Sequence, residues 1–186
     1  MSKDNKTRLE VQSILRECIL IGLNRMGIPE TGEGSWQVQE FANATFNNGD
    51  RLILLNMIDE STSGWQFEEE GIEADGSKTT YQCRNEIQRW QIHTIAKFKK
   101  DASNEDLYAM DMANKLKFWL NGPCTQELRK RGLSIFRIDD YDVLVYNDDS
   151  SVYQKRAVLS IKLFVPKKEG FKDKIVNNLH MGIYPV

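Results

Sequence analysis

From residue 86 to residue 98 the side chains alternate in character. Trp90, Ile92, Thr94, Ala96 and Phe98 form one mostly apolar set; Arg89, Gln91, His93 and Lys97 form the other, relieved by Ile87 and Ile95. A period of two belongs to a β-strand with one covered face. The pattern reaches back to Thr79, which makes a strand of up to 20 residues. Ordinary strands run to about five or six. The first half of this one, with Gln82, Arg84 and Glu86, is therefore expected to project beyond the core sheet.

The rest of the chain supplies what such a strand needs around it. Val11, Ile14, Leu15, Cys18, Ile19, Ile21 and Met26 recur at helical spacing between Thr7 and Met26, with Gly27 and Pro29 as stop signals. Gly22, inside that helix, weakens it by about 1 kcal/mol and reads equally as room for a close neighbour or as a tolerated surface glycine. Trp36, Val38 and Phe41 suggest a short strand, and Leu52 to Ile58 reads as a buried one. Between Asp59 and Asp75 lie seven acidic residues and no basic one, punctuated by Gly64, Gly71 and Gly76; this predicts a long acidic exposed hairpin over 59–78. A helix capped by Ser103 and Asp106 follows, then a shorter one from Pro123 to Arg131 closed by Gly132. Leu133 to Tyr146 is strand-like but interrupted at Asp139 and Asp140. Ala157, Leu159, Ile161, Leu163 and Val165 alternate cleanly, the mark of an antiparallel sheet with one covered face. Pro166 to Gly170 reads as a turn-like break before an apolar tail.

The expectation is an α+β fold: an antiparallel sheet of four or five strands with helices packed on one face, a long projecting hairpin and a C-terminal arm. A single domain would cover 1–169 and the arm 170–186. At 186 residues the chain is long enough to bury a sizeable core without staples.

Chemistry is hard to find in it. The formal net charge of −2 gives no general reason to bind nucleic acid or an anionic membrane. Cys18, Cys83 and Cys124 form neither a disulfide framework nor a zinc pattern, and His93 and His180 stand far apart. No secretory signal or apolar span is visible near the N-terminus. There is no G-x-S-x-G, P-loop or G-x-G-x-x-G motif. His93, mid-strand on the polar side, is expected to be exposed. Asp139, Asp140 and Asp142, with Asp148 and Asp149, are the best candidates for a cation, and read more simply as a solvated strand and its turn. The chain is expected not to be an enzyme, with no catalytic, metal or cofactor-binding residue. What stands out is surface that a monomer would normally cover: the overlong strand, the acidic hairpin and the tail.

The order of elements resembles the tail-terminator, or neck, proteins of long-tailed bacteriophages. The resemblance spans about 7–167. It is carried by the N-terminal amphipathic helix, the apolar strand Leu52 to Ile58, the strand Asn85-Glu86-Ile87-Gln88-Arg89-Trp90-Gln91-Ile92, a helix beginning near Asp101-Ala102-Ser103, and the closing strand Ala157 to Val165. It is a likeness of pattern. It implies a structural virion protein, assembled in the host cytoplasm. Copies would form a homohexameric ring that ends tail-tube polymerisation and joins the tail to the head connector, with self, the tube protein and the head–tail connector protein as partners. Genomic DNA would pass through the lumen without specific binding, and no membrane would be involved. Glu68, Glu69, Glu70 and Glu73 become candidates for the lumen or an inter-ring contact. Gln82, Arg84, Glu86, Phe171, Ile175, Leu179 and Tyr184 become candidates for the subunit interface. Two other readings stay open: a different phage head–tail completion or tube component, and a small enzyme or ligand-binding α+β domain.

Overall fold

The structure, a computed structural model, describes residues 5–29, 31, 34–40, 51–73, 76, 78–99, 108–139, 142–147 and 152–172. Among them the order is α1 (Arg8–Arg25), β1 (Gln37–Glu40), β2 (Arg51–Ile72), β3 (Lys78–Lys99), α2 (Tyr108–Asn121), α3 (Pro123–Lys130), β4 (Ser134–Ile138), β5 (Asp142–Asn147) and β6 (Val152–Lys172). The fold is α+β, with one six-stranded sheet ordered β1-β2-β3-β6-β4, and β5 also paired to β6. Every pair is antiparallel except β1–β2, which is parallel and makes the sheet mixed. The expected short strand at Trp36 and Val38 is β1; Phe41 lies outside the described residues.

Each helix is cut by local chemistry. Thr7 caps α1: its Oγ1 accepts from the Glu10 amide at 3.2 Å, and the Glu10 carboxylate accepts from the Thr7 amide at 2.6 Å, a closed capping box. At its far end Gly27 sits at φ +70°, with its amide bonded to Asn24 O and the Ile28 amide to Leu23 O. The end of α3 repeats the device with Gly132 at φ +72°. Both are Schellman ends, which need a left-handed residue that glycine adopts without strain. Pro123 opens α3; Ser103 and Asp106 lie outside the described residues.

All three helices pack on one face of the sheet. Val11, Leu15, Cys18, Ile19 and Leu23 of α1 join Leu116, Leu120, Cys124 and Leu128 of α2 and α3, over Ile53 and Leu55 of β2, Trp90 and Ile92 of β3, and Leu159, Ile161, Leu163 and Val165 of β6. Truncating one such aliphatic side chain to alanine costs about 2–5 kcal/mol. Specific bonds fix the layers. Thr94 Oγ1 donates to Ala109 O at 2.7 Å, and Arg16 Nε donates to Val38 O at 3.3 Å. Trp119 Nε1 donates to Cys18 O at 3.0 Å, its ring lying against Gly22. Cys18 and Cys124 meet inside this layer. Their mutual hydrogen bond, with burial, pushes the Cys124 thiol up, while the same bond holds Cys18 below the usual thiol range.

The opposite face differs from expectation at His93. That residue is 6% exposed, beside Leu54 of β2 and Val158 of β6 in register, with Leu52 and Ile95 buried nearby. Burial, followed by the charge of Arg156, lowers its pKa to about 4. The alternation marks it correctly as opposite to Trp90. Its neighbours on the flanking strands make that position apolar.

Candidate functional site

The projecting element is larger than a hairpin. β3 pairs with β2 from Ala96 to Lys78 and with β6 from Lys99 to Thr79, so all three strands run out together. The helix-side core ends at Val165, opposite Glu86. Beyond it β3 continues from Asn85 to Lys78, about eight residues or roughly 25 Å at ~3.3 Å per residue. Pro166 to Gly170 is not a break, as its composition suggested: β6 continues to Lys172. β4 begins at Ser134, opposite Phe164, and the Lys168 amide turns outward to Asn5 Oδ1 at 2.6 Å. Pro166 shares that outward phase, so its missing N–H removes no ladder bond. Phe171 belongs to β6, opposite Thr80; Ile175, Leu179 and Tyr184 lie outside the described residues.

The projecting half of β3 therefore offers no unpaired backbone of its own. Gln82, Arg84 and Glu86 sit on the central strand, between Glu68, Thr62 and their neighbours on β2 and Glu169, Lys167 and Val165 on β6. The open backbone lies one strand away. Among the described residues, no strand pairs with the outer edge of β2 beyond Leu55, where β1 stops.

Two polar clusters hold the ribbon in register. The first lies on the helix side at its root. Glu86, 5% exposed, has Lys167 Nζ 3.3 Å from Oε2 as an ion pair and accepts from Arg84 Nη2 at 3.3 Å on Oε1. Arg84 Nη2 also reaches Glu169, and Lys167 Nζ donates to Lys6 O at 2.9 Å. Burial pushes the Glu86 carboxyl up, but a hydrogen bond from Glu60 together with Lys167 and Arg84 outweighs it and leaves Glu86 below the usual carboxylate range. The same carboxyl–carboxyl hydrogen bond, with burial, raises Glu60. Glu86 is already engaged by two cations within the chain.

The second cluster lies on the other side, near the tip. The Tyr81 ring covers Gly71, where a Cβ would stand 2.6 Å from its Cε2. Lys168 Nζ lies 4.3 Å above the same ring and 2.7 Å from Glu69, which also accepts from the Cys83 thiol at 3.8 Å. The Tyr81 hydroxyl donates to Glu73.

The acidic run is therefore not one acidic face. Alternation sends Glu68 and Glu70 to the helix side and Glu69 to the other, where Lys168 neutralises it. Glu68 and Glu70 have no ion-pair partner among the described residues. Beside them stand Phe67, 58% exposed, and Ile72, 78% exposed. In the sequence their only mark is a loose alternation with the acidic residues around them.

The aspartate candidates do not assemble. Asp139 pairs with Arg137, Asp142 is exposed, and Asp140, Asp148 and Asp149 lie outside the described residues. Among the described residues no group of three or more His, Cys, Asp or Glu could hold a metal ion, and no helix is long and apolar enough to cross a membrane. No protein-family model and no curated protein matches the sequence.

Proposed function

We propose that this chain is a structural virion protein: the subunit of a six-membered ring at the head-proximal end of a phage tail, which ends tube polymerisation and joins the tail to the head connector. The observation that carries the reading is the three-stranded ribbon, with the outer backbone edge of β2 open from Asn56 to Ile72 among the described strands. Such an edge invites a strand from another chain unless charges block it, and here charged residues interrupt it without removing its apolar side chains. A ribbon braced at root and tip by cross-strand ion pairs holds that edge at a fixed place, as an assembly contact requires. In this reading the tube protein and the connector meet the two sides of the ring, and genomic DNA passes through it unbound.

The test is the molar mass of the purified chain by light scattering after size exclusion, with negative-stain images of the same peak. The expected result is a ring of six times the 21.5 kDa chain. A monomer at every concentration reached would overturn the self-assembling ring.

A further inference from the structure

A recess of volume ≈ 370 Å³ opens at the root of the ribbon, where β4 ends and α3 approaches β6. Asn85, Leu133, Ser134, Phe164 and Pro166 line it, with Arg129 of α3. Phe164 meets Phe136 edge-on, ring centroids 4.9 Å apart, and Phe136 is itself 55% exposed. The floor is thus aromatic and aliphatic, on the side of the sheet away from the helices. Arg129 has no ion-pair partner among the described residues, while its neighbours Lys130 and Arg131 are paired to Glu127 and Glu17. The Lys6 ammonium lies close to Gly132, at the same end of α3.

Backbone pairing does not suit this edge. Pro166 has no N–H to give, and the Lys168 N–H is already bonded to Asn5. A partner there must bind through side chains.

We infer that this recess receives the ribbon tip of a second copy of this chain: Phe67 enters over Phe164 and Pro166, and Glu68 and Glu70 reach Arg129. The inference rests on the ring reading and deepens it by naming the two surfaces that meet. Charge and placement both favour this occupant. The tip carries acidic side chains without described partners on the helix side and an exposed Phe67 on the other; the recess carries a cation from a helix and an apolar floor on the corresponding sides. Donor and acceptor lie at opposite ends of one ribbon, so tip-to-recess contacts repeated in one direction close a ring by rotation, whereas a reciprocal exchange stops at a two-fold dimer; the molar mass separates the two.

The experiment mixes full-length Phe67→Cys with full-length Ser134→Cys, both carrying Cys83→Ser because Cys83 is the cross-strand partner of residue 67, and oxidises with copper phenanthroline; each variant alone is the control, and the remaining native thiols, Cys18 and Cys124, are buried. The expected result is a covalent dimer in the mixture that neither variant gives alone. In parallel, Arg129→Glu should weaken association about tenfold or more, and Glu68→Lys with Glu70→Lys should restore it in the same chain. A ring that forms normally, with no mixed cross-link and no response to Arg129→Glu, overturns the docking and leaves the ring standing. So does a mass change that follows loss of the C-terminal residues 173–186 but not these variants, which would make that segment the occupant. A chain that stays monomeric overturns both.

Discussion

Gly22→Ala tests the helical layer directly. A Cβ at Gly22 would stand 2.6 Å from Trp119 Nε1, 2.7 Å from Cδ1 and 2.8 Å from Cε2. Non-bonded carbons settle at about 3.5–4.0 Å, so the indole would have to retreat by roughly 1 Å. It has little room: Trp119 is 5% exposed, its Nε1 donates to Cys18 O at 3.0 Å, and the Arg25 guanidinium lies 5.2 Å from the ring centre. Alanine gains about 1 kcal/mol over glycine in a helix interior. Against that stand about 1–3 kcal/mol for overpacking and about 1–3 kcal/mol for the buried hydrogen bond. The net is a loss of about 1–5 kcal/mol, centred near 3 kcal/mol, or a fall in Tm of about 6–12 °C for a chain of this size. Urea unfolding followed by tryptophan fluorescence, at one low protein concentration, measures it. Trp119→Ala removes all three atoms nearest the new Cβ, so the double variant should be less destabilised than the two single changes together. A Gly22→Ala protein as stable as the original, or more so, would show that the glycine does not exist to admit the indole.

Two further outcomes follow from buried or closely packed groups. His93 has a folded pKa of about 4 against an ordinary 6.5, so its contribution is complete above pH 6.5 and is lost as pH falls toward 4. Unfolding free energies at pH 7 and pH 4.5 should differ by about 2–3 kcal/mol more in the original chain than in His93→Gln; equal slopes would contradict the burial argument. Gly71→Ala places a Cβ 2.6 Å from the Tyr81 ring and should loosen the ribbon tip. Hydrogen exchange should rise at 66–72 and 78–84 while the α1 amides keep their protection, and unchanged exchange at the tip would mean Tyr81 does not pack there.

The sequence announced the core more clearly than the ribbon, for a physical reason. Ala157 to Val165 and Trp90 to Ala96 alternate because one face of each lies under helices, and that burial is written into residue type. The capped ends at Gly27 and Gly132 were legible for a similar reason: a left-handed turn selects glycine. From Asp59 to Ile72 no such pressure acts. β2 crosses two register irregularities there, at Met57/Asp59 and Ser63/Phe67, and is held mainly by backbone pairing with β3, which leaves little trace in composition. Proline reads as a breaker, but Pro166 lies where β6 has already lost β4. The alternation gives the side of β3 on which His93 lies but not its exposure, which depends on the apolar Leu54 and Val158 that the fold sets beside it. The recess joins three separate stretches of chain, with Asn85 and Arg129 44 positions apart and Arg129 and Phe164 35, and no local pattern brings them together.

The absence of a hydrophobic signal in the ribbon also bears on what it is for. Where one face is buried, slipping a strand by one residue exposes the core, so burial fixes register. An exposed ribbon lacks that penalty and needs another source of register. Here it comes from polar clusters that each span all three strands: Glu60, Glu86, Arg84 and Lys167 at the root, and Glu69, Tyr81 and Lys168 at the tip. At the tip, where Glu69 is exposed, such an ion pair contributes little to global stability, typically about 0–1 kcal/mol. Its stronger effect is positional. A one-residue slip of β2 would carry Glu69 to the face opposite Lys168, and Phe67 to the face opposite its present one. Register is worth specifying in an element that adds little to the core only if the place of its side chains matters to something outside the domain. That requirement, together with Phe67, Glu68 and Glu70 at a braced tip, favours an assembly contact over a solvated hairpin.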